Sequence, residues 1–437
     1  MKKLLFTSVF ASAFAFFSLS SAFGTDFSGD LLSQPSRTFE IGIDSNINFA
    51  NNTFGLKDIL TKNVKIDLQK MADDMPDSGF KLGFYNKEKA FVNLNISSRF
   101  RFSFFTDLES SGMFNISKDF FDILGSGIDV GETKKIDITT YADVFYDLGF
   151  SFQTIVMGYG IKLTPAYYVP LIYVPKTTAT ARMTTNKDGL IHAYTEAMLD
   201  VYTAVDMENY IDSDADGDKE IDIQDILSNG GFDLSLEIER NWLHGLNAGL
   251  YTRVPIRPGT LNYKMSTMVY ADFHEDNLMD FVTDSKKEKP EFKSGHVKPS
   301  TYNPKNHDDE EKGFEYTEDS YRAYRPLKFG LNATYMPWGQ WFKIQPSLGF
   351  AVRNPYTSDA IFYMEYALDF RLSMLARIFN VNFGTAYQNQ IFQHRFGLAI
   401  NLRALEIISQ VSMCGTSFLS TFRTAGYGAL VGVRIGF

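Results

Sequence analysis

Between residues 136 and 153 the side chains alternate without a break. Ile136, Ile138, Thr140, Ala142, Val144, Tyr146, Leu148, Phe150 and Phe152 share one face, while Asp137, Thr139, Asp143, Asp147, Gly149, Ser151 and Gln153 share the other with Tyr141 and Phe145. A period of two is the signature of a β-strand with one apolar and one polar face. About 18 residues in one register is roughly three times the length of an average globular strand. Such a strand needs an apolar surround on one side over its whole length, and this limits what the chain can fold into more than any other feature.

The pattern recurs. In 361–372, Phe362, Met364, Tyr366, Leu368, Phe370 and Leu372 oppose Glu365, Asp369 and Arg371. In 391–403, Phe392, Phe396, Leu398, Ile400 and Leu402 oppose Gln393, Arg395, Asn401 and Arg403. Comparable faces occur at 39–49, 90–104, 155–169, 192–205, 232–241, 246–254, 327–335, 341–352, 379–388 and 426–437, with weaker runs at 80–86 and 405–413. A soluble sandwich also alternates, but here no helix-rich partner covers the long apolar faces. Lipid on the apolar side and a watery lumen on the other explains both faces. Open sheet edges cannot stand in hydrocarbon, so the sheet must close. The fold expected is all-β, a closed antiparallel transmembrane barrel. About fifteen stretches alternate, while single-chain bacterial barrels have an even strand number, so one is miscounted and about 14 strands are expected.

The flanks agree with export. Lys2 and Lys3 precede an apolar run from Leu4 to about Phe17 and small residues at 20–24, the layout of a secretory signal peptide over 1–24, cleaved after Ala22 or Gly24. That run is too short to span a bilayer as a helix. A single Cys, Cys414, excludes an internal disulfide. The formal net charge of −10, or −12 once Lys2 and Lys3 are removed, argues against a nucleic-acid partner. At the other end, Tyr427, Ala429, Val431, Val433, Ile435 and Phe437 alternate with Gly428, Leu430, Gly432, Arg434 and Gly436.

This last stretch, closing on Phe437, resembles the C-terminal strand motif of bacterial outer-membrane β-barrels. The resemblance implies residence in the cell outer membrane, contact with its lipid, and recognition by the barrel-assembly machinery during biogenesis. It makes Tyr427, Val433, Ile435 and Phe437 the insertion signal. The chain also resembles the barrels grouped with FadL-like long-chain fatty-acid transporters, which implies a hydrophobic solute.

Residues 25–437 read as one barrel domain. Counting back from a periplasmic last strand puts the short connections at 337–340, 373–378 and Arg403–Ala404 in the periplasm. The long segments 206–231 and 256–325 then fall outside, as long loops do in such barrels. Two inserts, 55–75 and 117–125, read as helices that either plug the lumen or lie at its rim.

Charged residues on the polar faces are the first candidate site: Arg99, Arg101, Asp137, Asp143, Asp147, Glu237, Lys343, Glu365, Asp369, Arg371, Arg395 and Arg434 are expected to line the lumen. They form either a structural lattice of ion pairs or a charged constriction. The second candidate is Asp212-Ser-Asp-Ala-Asp-Gly-Asp, which matches the start of a Ca²⁺ loop of EF-hand type. Hard oxygen ligands at alternate positions and a glycine for the turn are what Ca²⁺ needs. Position 12 is Ile223 rather than Glu, so the alternatives are a weak site of Asp212, Asp214, Asp216, Asp218 and Asp225 or a solvated acidic turn. No other cofactor is expected. The six His show no zinc spacing, and neither a Gly-x-Ser-x-Gly nor a Walker loop occurs, so no enzyme is expected. Two functions remain in view: passive transport of a small solute, hydrophobic if the FadL-like resemblance holds for it, and a surface adhesin or structural barrel displaying acidic loops.

Overall fold

The alternating segments pair edge to edge, each antiparallel to its neighbours. In the computed structural model they are seen over residues 31–32, 37–53, 72–73, 75–97, 99–126, 133–185, 191–208, 223–275, 291–302, 312–375, 377–423 and 426–437. The chain begins with β1 (Phe39–Asn51), β2 (Phe80–Asn95), β3 (Phe100–Ile116), helix α1 (Lys118–Ser126), β4 (Thr133–Val156) and β5 (Tyr159–Thr185). It continues through β6 (Ile191–Thr203), helix α2 (Ile223–Ser228), β7 (Gly231–Leu243), β8 (Leu246–Arg257), β9 (Gly259–Glu275), β10 (Glu291–Val297) and β11 (Glu315–Ala323). The last strands are β12 (Leu327–Tyr335), β13 (Phe342–Arg353), β14 (Ile361–Met374), β15 (Phe379–Gln388), β16 (Ile391–Asn401), β17 (Leu405–Gly415) and β18 (Gly426–Gly436).

Among the described residues, 14 strands close the barrel. Running round the wall, β1 to β5 are followed by β7, β8 and then β12 to β18, and β18 returns to β1 from Glu40↔Gly436 to Phe49↔Tyr427. The other four strands are outside it. Beyond Tyr168, β5 parts from β7 and pairs with β6; β6 pairs with β9, and β9 carries β10 and β11 on its far edge. The result is a second sheet standing on the wall.

This topology locates the odd strand of the sequence count. It is 192–205, whose alternation is real but which builds the standing sheet as β6. The weaker runs 80–86 and 405–413 both belong to wall strands. The 90–104 stretch, read as one strand, contains the β2–β3 turn: the Ile96 and Ser97 amides donate to the Phe100 carbonyl at 3.1 and 3.3 Å. Apolar alternation runs straight through that turn, so periodicity alone does not reveal it. Likewise 256–325, read as a long loop, holds β9, β10 and β11.

Burial is inverted relative to a soluble protein. Phe104, Leu331, Phe362, Phe396 and Val411 are each more than half exposed, while Asp107, Glu109, Asp143, Asp147, Glu237 and Arg325 are buried. Exposing one such apolar side chain to water costs about 1.5–3 kcal/mol, and here they form a continuous outer band. Only lipid makes that band favourable, so the molecule is an outer-membrane β-barrel. No described helix is long and apolar enough to cross a membrane.

The connections set the orientation. One end has tight turns, such as Met157–Gly158, where both residues take positive φ as a two-residue hairpin requires. The other end carries α1, α2 and the standing sheet. Short turns face the periplasm and long connections the exterior. All three Trp of the chain lie at the short-turn end, with Trp338 stacked on Trp341 at 5.4 Å and Trp242 at the end of β7. They form part of an interfacial aromatic girdle.

Candidate functional site: the lumen

Parity along the strands sends every second side chain inward, and closure brings inward side chains from distant strands into contact. The outer end of the lumen is filled in this way. Arg325, in the link between β11 and β12, is buried and reaches across to three strands. It donates to Glu109 of β3 at 2.5 Å, lies 2.9 Å from Asp147 of β4, and donates to Asp233 of β7 at 3.3 Å. Lys87 approaches Asp107 and Glu109 at 3.5 and 3.9 Å. The carboxylates of Asp107, Glu109 and Asp147 lie within 4.8 Å of one another, a set that suits a cation, and Arg325 and Lys87 supply the positive charge.

A second arginine closes the same level. Arg353, at the outer end of β13, donates to Asp143 at 2.6 Å and to the carbonyls of Ala142 and Val174 at 2.8 and 3.1 Å. Its guanidinium lies over the rings of Tyr141 and Tyr173 at 4.7 and 4.4 Å. Gln390, in the β15–β16 turn, donates to the Tyr141 hydroxyl from the facing wall. Above them Phe145, Tyr168, Tyr173, Tyr202 and Leu261 pack as an apolar cluster with Tyr321 of β11 stacked on Tyr173 at 5.0 Å. The standing sheet is thus bolted onto the mouth, which these described side chains fill.

The periplasmic end is entered by the N-terminal segment. Leu31 is buried; its amide donates to Glu239 of β7 at 2.6 Å, and its carbonyl accepts from Gln153 of β4 at 2.6 Å. Gly160 of β5 leaves the room: a Cβ there would stand 2.9 Å from the Leu31 Cβ. Between the two ends lies a cavity of about 1050 Å³. It extends from Arg37 and Arg377 near the periplasmic rim to Lys328 and Glu365 near the outer ends of β12 and β14. Its walls are polar, with Phe91 and Phe105 as an aromatic strip on β2 and β3.

Six of the twelve residues expected to line the lumen line this cavity: Arg101, Glu237, Lys343, Glu365, Arg371 and Arg434. Glu237 pairs with Lys162 at 2.6 Å, Glu365 with Lys328 at 3.1 Å, and Arg434 with Asp44 at 3.2 Å. Asp143 and Asp147 belong to the outer ionic layer. Asp369 is held by both oxygens to one nitrogen of Arg395, at 2.8 and 2.9 Å. Two residues are elsewhere. Arg99 is exposed in the β2–β3 turn, because the strand assumed there is a hairpin. Asp137 has inward parity but stands at the outer end of β4, where its exposed carboxylate pairs with Lys135 at 3.0 Å.

Sequence reasoning missed Arg37, Asp44, Lys87, Asp107, Glu109, Glu239, Lys328 and Arg353. Most carry the same signal as those it found, inward parity on an alternating strand. Arg325 carries none, since it lies between strands. Tyr427, Val433, Ile435 and Phe437 all face lipid. Asp212, Asp214, Asp216 and Asp218 lie outside the described residues, and of Asp225 only the backbone, in α2, is described. The insert 55–75 is described at 72–73 and 75; Ala72 and Met75 pack on Phe121 of α1, beside the outer ends of β2 and β3.

No family model matches the chain, and no curated protein matches it. Among solved structures it is similar to a TodX deltaS2S3 mutant monoaromatic hydrocarbon channel, at 8% identity and a TM-score of 0.44 over 96% of both chains. It is also similar to the Ralstonia pickettii toluene transporter TbuX, at 6% identity and 0.42 over 96% of both. A Pseudomonas aeruginosa FadL homologue matches at 9% identity and 0.37, over 91% of this chain and 89% of that one. At such identities and TM-scores, what the lumen carries is decided by its own side chains.

Proposed function

We propose that the barrel lets a small solute cross the outer membrane passively through this lumen. The observation that supports it is the cavity of about 1050 Å³ inside a membrane-spanning wall. Its size is at the upper end of the roughly 300–1,000 Å³ typical of small-molecule sites. Both closures are made of side chains and short segments rather than wall strands, so each can withdraw without opening the barrel. A polar lining best serves a polar solute. The hydrophobic solute implied by the family resemblance is the competing class, and Phe91 and Phe105 are where it would rest. Efflux from liposomes loaded with a neutral sugar, an organic acid or a small aromatic alcohol separates the classes. Absence of efflux for all three, in the wild type and after Arg325→Met, would sink the transport reading.

A display role is favoured by one feature, the sheet of β6, β9, β10 and β11 that rises past the rim. Loss of cell attachment on removing 259–323, with no solute efflux from either the full or the shortened chain, would establish that role instead. Tyr427, Val433, Ile435 and Phe437 serve as the insertion signal in this reading. Replacing Phe437 with Ser should slow assembly in cells without destabilising barrel refolded in detergent.

A further inference from the structure

We propose that the periplasmic end of the lumen holds a binding site for a small oxyanion, a carboxylate or a phosphate, centred on Arg371 with Lys343, Arg377 and the amide of Asn382. This rests on the transport reading only in naming what the lumen carries. The chain as a whole is acidic, at −10. The described side chains lining the cavity reverse that sign, with twelve Arg and Lys against seven Asp and Glu.

The excess is concentrated on β13, β14 and β15. Lys343 and Arg371 stand directly opposite each other across the β13–β14 pair. Like charges placed so repel each other, which makes this stretch of wall one that attracts an anion. The nearest carboxylate on the strand, Asp369, is already taken by Arg395. Arg371 instead donates through Nε to the Asn382 side-chain carbonyl at 2.9 Å, and among the described residues it forms no ion pair. That contact orients the guanidinium and leaves its terminal nitrogens for a ligand. Arg377, in the turn after β14, also lines the cavity and also forms no ion pair among the described residues.

An independent observation gives the sign of the ligand. The Asn382 side chain, beside Arg371 across the β14–β15 pair, is nine-tenths buried, and among the described residues its Nδ2 has no acceptor. A buried donor without a partner is costly, and an oxyanion supplies the missing acceptor. Two cations, a preoriented guanidinium fork and an orphaned amide donor together select an anion with at least two oxygens.

The test is calorimetry on the full chain folded in detergent, titrated with inorganic phosphate and, separately, with succinate at low ionic strength. Saturable binding of at least one, weakening as salt is added, is expected. Whichever arm binds more tightly identifies the source. Arg371→Gln should weaken binding about tenfold or more, as loss of a charge-assisted contact does. Arg371→Lys should fall between, and Arg377→Gln, in an exposed turn, should weaken it while leaving folding intact. Heat-modifiable gel mobility confirms the folded barrel for each variant. Folded wild type that binds neither anion, or Arg371→Gln and Arg377→Gln that both bind as the wild type does, would overturn the site. Efflux of the neutral sugar, the organic acid and the aromatic alcohol from liposomes, in the wild type and in Arg325→Met, is scored in parallel. Binding without efflux keeps the site and retires transport; efflux without anion binding does the reverse.

Discussion

Arg325→Met should loosen the outer mouth and make the barrel leak. The Arg325 guanidinium lies 2.5 Å from Glu109, 2.9 Å from Asp147 and 3.3 Å from Asp233, all buried. At an effective dielectric constant of about 20, each contact is worth on the order of 5 kcal/mol of attraction. Desolvating four ions takes back several kcal/mol apiece, so the net worth of the cluster is small. Removing only the cation is different, because the carboxylates stay buried without it, and such a loss costs about 3–5 kcal/mol. Lys87 stays 3.5 Å from Asp107 and 3.9 Å from Glu109, which puts the expectation near the lower figure. Equilibrium urea unfolding in lipid vesicles, followed by Trp fluorescence, measures it. Adding Glu109→Gln to Arg325→Met removes one stranded charge and should recover part of the loss, a positive coupling in a double-mutant cycle. Liposome efflux should rise in Arg325→Met. A stability change under about 0.5 kcal/mol, or a Glu109→Gln substitution that simply adds its own loss, would refute a latch held by buried charge.

Val433→Arg puts a cation on the lipid face near the end of β18 and should destabilise by about 1–2 kcal/mol, while Gly432→Ser faces the lumen and should cost less; equal losses in urea titrations would contradict the facing of β18. Gly160→Val forces the Leu31–Leu32 segment off its seat, so efflux should increase with folding unchanged, and unaltered efflux would show that this segment is not a closure. In the standing sheet, Tyr302 and Tyr194 donate to Glu196, and these bonds hold its carboxyl below the usual 4.5. A depressed carboxylate contributes stability that is present above its unfolded value and lost as pH falls through the folded one, so proteolysis of this sheet should accelerate below about pH 4.5 and Glu196→Gln should flatten the dependence. If the 212–225 loop binds Ca²⁺, affinity should be about 10⁻⁴ to 10⁻³ M and Asp216→Ala should abolish it; a flat calorimetric titration to about 10 mM leaves a solvated acidic turn.

Inside and outside are legible in the order of the residues alone. A period of two sustained over strands such as 136–153 and 426–437 assigns each side chain to lipid or lumen, and charges at the polar positions then have only the interior to go to. The closed barrel follows, because hydrocarbon tolerates no sheet edge. Strand boundaries and membership were legible only in part. Alternation in 90–104 persists across a hairpin, and alternation in 192–205 is the same whether a strand pairs within the wall or above it. Those distinctions depend on which neighbour supplies the hydrogen bonds, and neighbours are fixed by pairing between distant segments.

The partners of the buried charges emerge only once the wall has closed. Arg325 and Glu109 are separated by 216 residues, Arg353 and Asp143 by 210, and they meet because closure folds the wall back across its own lumen. Arg325 lies between strands, where no periodicity applies. Leu31 fits against β5 because Gly160, 129 residues on in sequence, lacks a side chain. Parity gives each inward residue a direction but not a height along the axis, and it is height, set by strand register, that makes one layer a seal and the layer beneath it an open, cationic chamber.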